Sequence, residues 1–265
     1  LIRNQFSIIK GGRLAAAAHP ARVATLVVSD VPGDDPALVA SGPTLPLAGG
    51  RAEARRLAAL YRLDLPQAAA RLLASDANMP PDALDPVFAR NSVVTIASAA
   101  LSLEAAAKLA REAAIEAAIL SDAIEGEARD VAQVHAALAR EVTMRNRPFA
   151  KPVVLLSGGE TTVTLRGKGR GGRNGEFLLS LAIALDGVEG VSALAGDTDG
   201  IDGSEDNAGA FVDGSSARRM REAGVDPQAA LANNDAYGAF AAIGDLFITG
   251  PTGTNVNDFR AILVR

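Results

Sequence analysis

The chain has 265 residues, of which 48% are hydrophobic and 22% charged, and its formal net charge is −5. This length and composition predict one large or two ordinary globular domains, and the acidic balance does not favour a nucleic-acid partner. The absence of cysteine excludes disulfides and thiolate metal sites, and two histidines make a histidine-rich zinc site a poor interpretation. No apolar run reaches the roughly 18 residues of a membrane span, and no signal-peptide pattern opens the chain. We therefore expect a cytoplasmic protein without a membrane partner.

Helices alternate with strands in the first half of the chain. Residues 1–19 place apolar side chains at helical spacing around "KGGRLAAAA", and the β-branched run 23–30 predicts a buried strand. Further helices are predicted at 49–63, 66–75, 100–113 and 126–142, and further strands at 92–98 and 116–122. The proline-rich stretch 78–86 predicts a loop that divides the chain into domains 1–85 and 86–265.

The second half continues the alternation. The apolar runs 151–159 and 160–167 are joined so tightly that they predict a hairpin. Helices are predicted at 173–185, 215–224, 227–235 and 236–244, and strands at 190–200, 208–213, 245–250 and within 255–265. Strands and helices that alternate throughout predict an α/β fold, and the hairpin with the last strand predicts a mixed sheet in the second domain.

Acidic turns follow three of the predicted strands. In open α/β sheets, ligands bind at the carboxyl ends of strands. If these ends meet, one rim carries seven carboxylates: Asp30, Asp34, Asp35, Glu160, Asp197, Asp199 and Asp202. Such a group is repulsive unless a cation neutralises it, and Mg²⁺ held by one or two carboxylates and substrate phosphates is the usual solution. Ordinary turn formation and helix capping are the alternative. The glycine positions in "GDTDGIDG", and the lack of Glu at the twelfth position, exclude an EF-hand.

A glycine-rich segment precedes the helix predicted at 173–185. "GKGRGG" at 167–172 matches G-x-G-x-x-G, but a predicted hairpin arm precedes it rather than the strand of a parallel βαβ unit. No Walker loop and no protein-kinase signature set occurs. The segment carries Arg166, Lys168, Arg170 and Arg173 ahead of a helix N-terminus, a combination that favours an anion. A solvated basic hairpin end is the alternative.

A second basic segment, "KGGRL", places Lys10 and Arg13 on either side of two glycines. The glycines there predict either close approach of a ligand or a packing notch. Anion-binding loops together with metal-binding acids indicate phosphoryl transfer, which depends on positioning and charge neutralisation. His19 and His135 are expected to be structural.

Five segments together resemble one family. "SIIKGGRLA", "SDVPGDDPALVASGPT", "SGGETTVTLRGKGRGGRNGE", "GDTDGIDGSEDNAGA" and "TGPTGTNVNDF" are similar, in this order, to motifs of the type II glycerate kinases, or MOFRL proteins. The resemblance covers essentially the whole chain, with the MOFRL region at about 152–258. It implies the remainder of a Rossmann-like N-terminal domain and a C-terminal α/β domain with a mixed sheet. It also implies phosphorylation of D-glycerate at its 2-hydroxyl to 2-phosphoglycerate, with ATP and Mg²⁺.

The resemblance also implies residue roles. Arg173, Asp199 and Lys10 would be catalytic, with Arg173 stabilising the transferring phosphoryl group, and Asp197 and Asp199 would hold Mg²⁺ or orient the 2-hydroxyl. Nucleotide or substrate would contact Arg13, Asp34, Ser157, Gly158, Gly159, Glu160, Asn174, Thr198, Asn255, Asn257 and Asp258. The motifs suggest no general base.

Two other functions remain open. Some relatives carry the label hydroxypyruvate reductase, an NAD(P)H enzyme that needs the glycine motif in a βαβ unit and a ribose-binding acid about 20 residues later. Glu189 has that spacing but lies in a predicted turn. A non-catalytic metabolite-binding module is the other alternative.

The start of the chain and its assembly carry further expectations. The chain begins at Leu1, and the N-terminal part of a longer protein is expected to be missing, with a processed natural terminus as the alternative. The chain would then be an incomplete fragment, and whether it is active or inactive alone stays open. A homodimer is an open alternative to a monomer.

Overall fold

The computed structural model describes residues 1–46 and 48–265, which form two compact units, 1–97 and 98–265. Strand β1 (Ala24–Val28) pairs in parallel with β2 (Ser92–Ala97). Because β2 pairs with β1, the contact-based boundary lies further along the chain than the predicted one at 85/86. Strands and helices alternate in both units, and the α/β class is confirmed.

The first unit contains short helices around the β1–β2 pair. They are α1 (Arg13–Ala18), α2 (Arg51–Leu60), α3 (Gln67–Ala74) and the 3-10 turns Arg3–Gln5, Val39–Ser41 and Pro86–Phe88. The continuous helix predicted over 1–19 is wrong. Gly11 and Gly12 adopt φ of 64° and 81°, which interrupt a right-handed helix. A Cβ on Gly12 would lie 2.6 Å from Phe88 Cζ, so the glycines serve close packing here.

A buried arginine ties this unit together. The Arg51 guanidinium donates to Gln5 Oε1 at 2.9 Å and to the carbonyls of Leu72 and Ser75 at 2.5 and 2.6 Å. It also donates to the carbonyls of Ala77 and Asn78 at 2.9 and 3.1 Å. All five N–H groups of the guanidinium are therefore used to hold α2 against the segment that follows α3.

The second unit is built on a six-stranded mixed sheet. Its helices are α4 (Ala99–Glu112), α5 (Ala128–Arg145), α6 (Arg173–Ala184), α7 (Ser216–Glu222), α8 (Pro227–Ala232) and α9 (Ala236–Ala241). Its strands are β3 (Glu116–Ser121), β4 (Gly126–Glu127), β5 (Val153–Gly159), β6 (Thr161–Thr162), β7 (Val191–Asp197), β8 (Gly209–Asp213), β9 (Leu246–Phe247) and β10 (Asp258–Val264). The order in the sheet is β3-β5-β10-β7-β8-β9, with β3 parallel to β5 and the other pairs antiparallel, so the predicted mixed sheet is confirmed.

Apolar helix faces cover the sheet. Phe177, Leu178 and Leu181 of α6 are fully buried in the main core, while Leu103 of α4 packs with Leu156 in a separate cluster. None of the helices in the described ranges is long and apolar enough to cross a membrane. Residues 174–182 of α6 are all buried, so packing along most of its length holds this helix in place.

The predicted hairpin between 151–159 and 160–167 is wrong. Strand β5 pairs with β3 and β10, whereas β6 pairs in parallel with β4 in a separate ribbon. Gly159 has φ of 117°, and a Cβ there would lie 2.3 Å from the backbone of Ile124. The chain therefore leaves the sheet at Gly159 instead of turning back. The strand predicted at 245–250 is reduced to β9.

The register of β10 gathers the polar strand ends. Because β10 is antiparallel to both neighbours, its first residue lies beside their carboxyl ends. Asp258 is opposite Gly159 of β5 and opposite Asp197 of β7. Helix α6 begins next to these three positions, as the contacts of Arg173 described below establish.

Candidate functional site

Three carboxylates surround the first residue of α6. Arg173 donates from Nε to Asp258 Oδ1 at 2.7 Å, from one terminal nitrogen to Glu160 Oε1 at 2.9 Å, and from the other to Asp197 Oδ2 at 2.7 Å. Its side chain is 22% exposed and that of Glu160 is 50% exposed, while those of Asp197 and Asp258 are buried. Of the predicted rim, Glu160 and Asp197 therefore come together here, and Asp258 at the start of β10 joins them. Asp30, Asp34 and Asp35 follow β1, which lies in the separate two-stranded sheet of the first unit.

The environment of this cluster raises the pKa values of both Arg173 and Asp197. Burial alone would lower the pKa of Arg173, but Asp258, Asp197 and Glu160 outweigh it and raise that pKa. Burial, with repulsion from Asp199 and Asp258, raises the pKa of Asp197 even though Arg173 opposes the shift. A guanidinium has five N–H donors, and the three carboxylates take three of them. One N–H donor on each terminal nitrogen is not taken by these three carboxylates.

A second arginine lies behind Asp258. Arg260 is fully buried and donates to Asp258 Oδ2 and to Thr161 Oγ1, the latter at 3.1 Å. Its guanidinium stacks over the Phe177 ring at 5.2 Å. Burial lowers the pKa of Arg260, and the attraction of Asp258 offsets part of that shift. Asp258 is thus shared, with one oxygen on Arg173 and the other on Arg260.

The N-terminus of α6 is already capped by a carboxylate from another segment. Asp202 Oδ1 accepts the Asn174 N–H at 2.9 Å, and Oδ2 accepts the Gly175 N–H at 2.7 Å. The side-chain Nδ2 of Asn174 also donates to Asp258 Oδ1 at 2.8 Å. The expectation of an open anion site at this helix terminus is wrong, because Asp202 occupies two of its N–H groups.

The capping carboxylate has an unusual acidity. Burial raises the pKa of Asp202 from 3.8 to about 6, although the N–H groups of Asn174 and Gly175 favour its charged form. The folded chain then binds more protons at this group than the unfolded chain does between pH 4 and 6. The free energy of unfolding therefore falls as the pH rises through this window, by about 3 kcal/mol for this group.

This acidity is tested by comparing wild type with Asp202→Asn. The Asn variant lacks the titrating group, so the free energy of unfolding of wild type relative to the variant is expected to fall by about 3 kcal/mol from pH 4 to 7. Urea unfolding at several pH values measures this difference. Parallel pH dependences for the two proteins would contradict the raised pKa.

The glycine-rich segment packs against protein rather than lying open. The N–H groups of Arg166 and Gly167 donate to Asn234 Oδ1 at 2.7 and 3.0 Å, and those of the next three residues donate to Asn233 and Asp235. All backbone N–H groups from 166 to 170 are therefore occupied. The segment therefore offers no free backbone N–H group to an anion over 166–170, and its exposed cationic side chains are what it presents to solvent.

The glycines of this segment permit the close approach. A Cβ on Gly169 would lie 2.4 Å from Asp235 Cβ and 2.6 Å from the Asp235 backbone. We expect Gly169→Ala to lower the free energy of unfolding by about 2 kcal/mol, because the overlap is with backbone and not with a flexible side-chain end. Denaturant unfolding measures the change. Lys168→Ala, an exposed substitution in the same segment, is the control and is expected to stay within about 0.5 kcal/mol. Equal stabilities of the two variants would contradict the packing role.

The residues predicted around "SGGE" differ in accessibility. Ser157 is buried, and its hydroxyl contacts His135 Nε2 at 2.9 Å. His135 Nδ1 lies 2.9 Å from the Val131 carbonyl, so Nδ1 carries the hydrogen and Nε2 accepts from Ser157. Burial lowers the pKa of His135, consistent with its expected structural role. Gly158 and Gly159 are also buried, and Glu160 is the solvent-facing member of the motif.

The last loop is tied to the end of β7. Thr198 Oγ1 donates to the Asn257 carbonyl at 2.7 Å and accepts the Val256 N–H at 2.8 Å. Asn255 donates to Asp199 Oδ2 at 3.4 Å and accepts the Asn257 N–H at 2.9 Å. Thr198, Asp199, Asn255 and Asn257 are thus brought together, as predicted, next to Asp197 and Asp258.

The predicted site residues of the first unit belong to local networks there. Arg13 is buried and donates to the carbonyls of Asn4 and Asn78 at 2.6 and 2.5 Å, and the Lys10 amine donates to the Ala40 carbonyl at 2.9 Å. Asp34 lies in a turn with φ of 53°. The Arg13 guanidinium is largely engaged by backbone, so the packing interpretation of "KGGRL" describes these contacts within the unit.

Sequence reasoning missed Arg260, Thr161 and the segment 233–235. A signal for Arg260 exists: the strand "DFRAILV" buries every second residue, and the positions on the buried face include two charged ones, 258 and 260. Opposite charges two residues apart on the buried face of a strand indicate a buried pair. The role of 233–235 depends on a contact across more than 60 residues, and no local pattern reveals it.

Comparisons with known proteins agree with this architecture. Residues 153–258 match the model of the MOFRL family, and residues 1–74 match a domain of unknown function, DUF4147. A putative hydroxypyruvate reductase of Agrobacterium vitis is 53% identical over 99% of this chain and 68% of its own length. A D-glycerate 2-kinase of Thermotoga maritima is 40% identical over 97% of this chain and 60% of its own. The crystal structure of the glycerate kinase from the same organism superposes with a TM-score of 0.89 at 39% identity, covering 100% of this chain and 62% of that one.

These likenesses place the chain in a class of α/β proteins that includes solved glycerate kinases. The chain belongs to the MOFRL, or type II glycerate kinase, family. It spans between 60% and 68% of the length of the relatives described here.

Proposed function

We propose that this chain contributes the Arg173 site of an enzyme that phosphorylates D-glycerate at its 2-hydroxyl, with ATP as donor and Mg²⁺ as cofactor. The observation that supports this most is the partly exposed Arg173 guanidinium, held by three carboxylates and keeping two N–H donors. Two donors on adjacent nitrogens match two oxygens of a phosphoryl group. Glycerate kinases among the relatives and solved structures support the same assignment.

The proposed step is a direct phosphoryl transfer. The glycerate 2-hydroxyl oxygen forms a bond to the γ-phosphorus, the bond from this phosphorus to the bridging oxygen breaks, and ADP leaves with the electron pair. The hydroxyl proton passes to solvent. Arg173 stabilises the charge on the transferring group, and Asp197 with Asp258 fixes the guanidinium so that no reorganisation is needed at that moment.

The fit of Mg²⁺ rests on Asp197 and Asp199. No group of three or more His, Asp or Glu among residues 1–46 and 48–265 is arranged to hold an ion alone. Asp199 is only partly buried, and its Oδ2 has one long contact, at 3.4 Å to Asn255. Mg²⁺ characteristically takes one or two carboxylates together with substrate phosphates, so this donor set suits an ion that arrives with the nucleotide. When bound, Mg²⁺ would neutralise phosphate charge. Asp199 would hold it, with Asp197 as the second carboxylate.

The remaining assigned roles stay proposals. Glu160, Asn174, Thr198, Asn255 and Asn257 would line the nucleotide or glycerate site around Arg173. Lys10, Arg13 and Asp34 of the first unit stay predictions, as do a cytoplasmic location and a homodimer.

Hydroxypyruvate reduction is the second candidate, because two similar proteins of Agrobacterium vitis carry that label. The glycine segment argues against it. In a dinucleotide fold, the backbone N–H groups after the first strand bind the pyrophosphate. Here the N–H groups of 166–170 donate to Asn233, Asn234 and Asp235. The segment follows β6, a two-residue strand that pairs only with β4 among the described residues.

An assay of the product separates these functions. The chain is incubated with D-glycerate and Mg-ATP, and enolase is added without phosphoglycerate mutase. Formation of phosphoenolpyruvate is expected, because enolase accepts 2-phosphoglycerate and not the 3-isomer. A signal that requires mutase would assign the 3-hydroxyl. Hydroxypyruvate-dependent oxidation of NADH or NADPH, with no ADP release, would assign the reductase instead.

A further inference from the structure

Arg260 is a buried charge that contacts the cluster from behind. It lies in the middle of β10, is fully buried, and reaches three acceptors: Asp258 Oδ2, Thr161 Oγ1 at 3.1 Å and the Gly158 carbonyl at 3.4 Å. Phe177 covers one face of its guanidinium. No part of Arg260 reaches solvent, so it does not touch a substrate.

Asp258 has a defined orientation because two arginines hold different oxygens. Oδ1 accepts from Arg173 Nε at 2.7 Å, and Oδ2 is held by Arg260. The Thr161 N–H adds a contact to Oδ2 at 3.2 Å. A carboxylate fixed at both oxygens has no freedom to rotate about its last bond. The direction of the Arg173 Nε–H bond is therefore set by the atoms on the far side of Asp258.

The surrounding charges make this support necessary. Asp197 and Asp202 are buried near Asp258, and each is affected by its charge. Without Arg260, Arg173 would be the main cation that neutralises the buried Asp258, and it also donates to Glu160. A buried charge that loses its partner rearranges or draws in water. In either case Asp258 would cease to hold Arg173 in one direction.

We propose that Arg260 is a positioning residue for Arg173 and acts through Asp258. Arg260 and Arg173 are both cations, and the charge of Arg173 helps to lower the pKa of Arg260, so their direct interaction is repulsive. The two arginines are connected through the carboxylate of Asp258, which contacts the buried Arg260 on one side and the partly exposed Arg173 on the other.

The test uses the NMR signal of the Arg173 Nε–H group, which reports a hydrogen bond directly and needs no activity. The signal is assigned in ¹⁵N-labelled chain by its loss in Arg173→Lys. In wild type it is expected downfield and slow to exchange with water. In Arg260→Met, which replaces the guanidinium by an apolar chain of similar length, it is expected to move upfield and to exchange faster. The Arg129 Nε–H signal, bound to Glu176 at 2.8 Å, should not change.

Two further variants separate positioning from packing. Phe177→Leu disturbs the same core position but leaves both oxygens of Asp258 engaged, so the Arg173 signal should keep its wild-type position. Arg260→Lys keeps a cation but loses the planar fork, so it should shift the signal in the same direction by less than Met does. It is also the deciding variant if Arg260→Met fails to fold. An unchanged Arg173 signal in folded Arg260→Met or Arg260→Lys overturns the proposal.

A kinetic measurement extends the test and rests on the proposed function. Misplacement of Arg173 is expected to lower kcat of Arg260→Met by about 100-fold with KM for ATP changed less than about threefold, and Arg260→Lys should recover part of kcat. A wild-type kcat in folded Arg260→Met overturns the positioning role. If the wild-type protein, assayed in its full length, has no turnover with glycerate, the proposed function fails, while the NMR measurement still decides the role of Arg260.

Discussion

Arg173→Ala is expected to lower kcat for glycerate phosphorylation by at least about 100-fold, the range for loss of a preorganised contact to transition-state charge. The substitution removes the two donors left for the phosphoryl group. It also releases Asp197, Asp258 and Glu160 from their shared cation. Initial rates from the enolase-coupled assay at saturating ATP measure the effect.

The controls for this prediction separate charge from geometry. Arg173→Lys keeps the charge without the fork and should retain more activity than Ala while remaining well below wild type. Arg218→Ala removes an exposed arginine paired with Glu222 and should keep kcat within about twofold. A kcat of Arg173→Ala near that of wild type would remove Arg173 from the mechanism.

Arg51→Met is expected to lower the free energy of unfolding of the 1–97 unit by about 4 kcal/mol, the largest stability effect proposed here. Five acceptors would each lose one donor, four of them backbone carbonyls between Leu72 and Asn78. The carbonyls of Leu72, Ser75 and Asn78 keep a second donor, from Ser75, Arg55 and Arg13 in turn. The apolar cluster of α2 and α3 contains three buried side chains among the described residues: Ala54, Ala58 and Leu73. Little apolar burial is therefore available to offset the loss. Hydrogen exchange of the amides of α2 and α3 measures the change.

Arg55 provides the matched control, since it is one turn further along α2. It donates to two carbonyls, Leu73 at 2.6 Å and Ser75 at 3.2 Å, and its side chain is 43% exposed. Water replaces its contacts readily, so Arg55→Met should cost about 1 kcal/mol. Equal losses of hydrogen-exchange protection in the two variants would contradict the role of Arg51 in holding α2 in place.

Much of the fold follows from local patterns. The β-branched run at 153–159 and the apolar helix at 173–184 are found where predicted, because hydrophobic period and helix-breaking residues are local properties. The predicted hairpin failed because the partner of β5 is decided by β10, about 100 residues later. The predicted helix over 1–19 failed because two consecutive glycines with positive φ interrupt it in spite of the apolar periodicity.

The candidate site was predictable in part. Acids after strands and an arginine at a helix start are visible in the sequence, and Asp197, Asp258 and Arg173 do come together. The packing of the glycine-rich segment was not predictable, since glycines at 167 and 169 are equally suited to admitting a phosphate and to admitting the backbone of Asn233 and Asp235. Sequence does not tell these two uses apart, because both need the absence of a Cβ.

The central claim, that Arg173 receives the transferring phosphoryl group, is tested most directly by a crystal structure with ADP, aluminium fluoride, Mg²⁺ and D-glycerate. The aluminium fluoride complex mimics the transferring phosphoryl group. We expect it within hydrogen-bond distance of both terminal nitrogens of Arg173, with Asp258 still on Nε and the glycerate 2-hydroxyl in line with the leaving oxygen. Aluminium fluoride bound elsewhere, with Arg173 holding the same three carboxylates and no new partner, would contradict the claim that Arg173 receives the phosphoryl group.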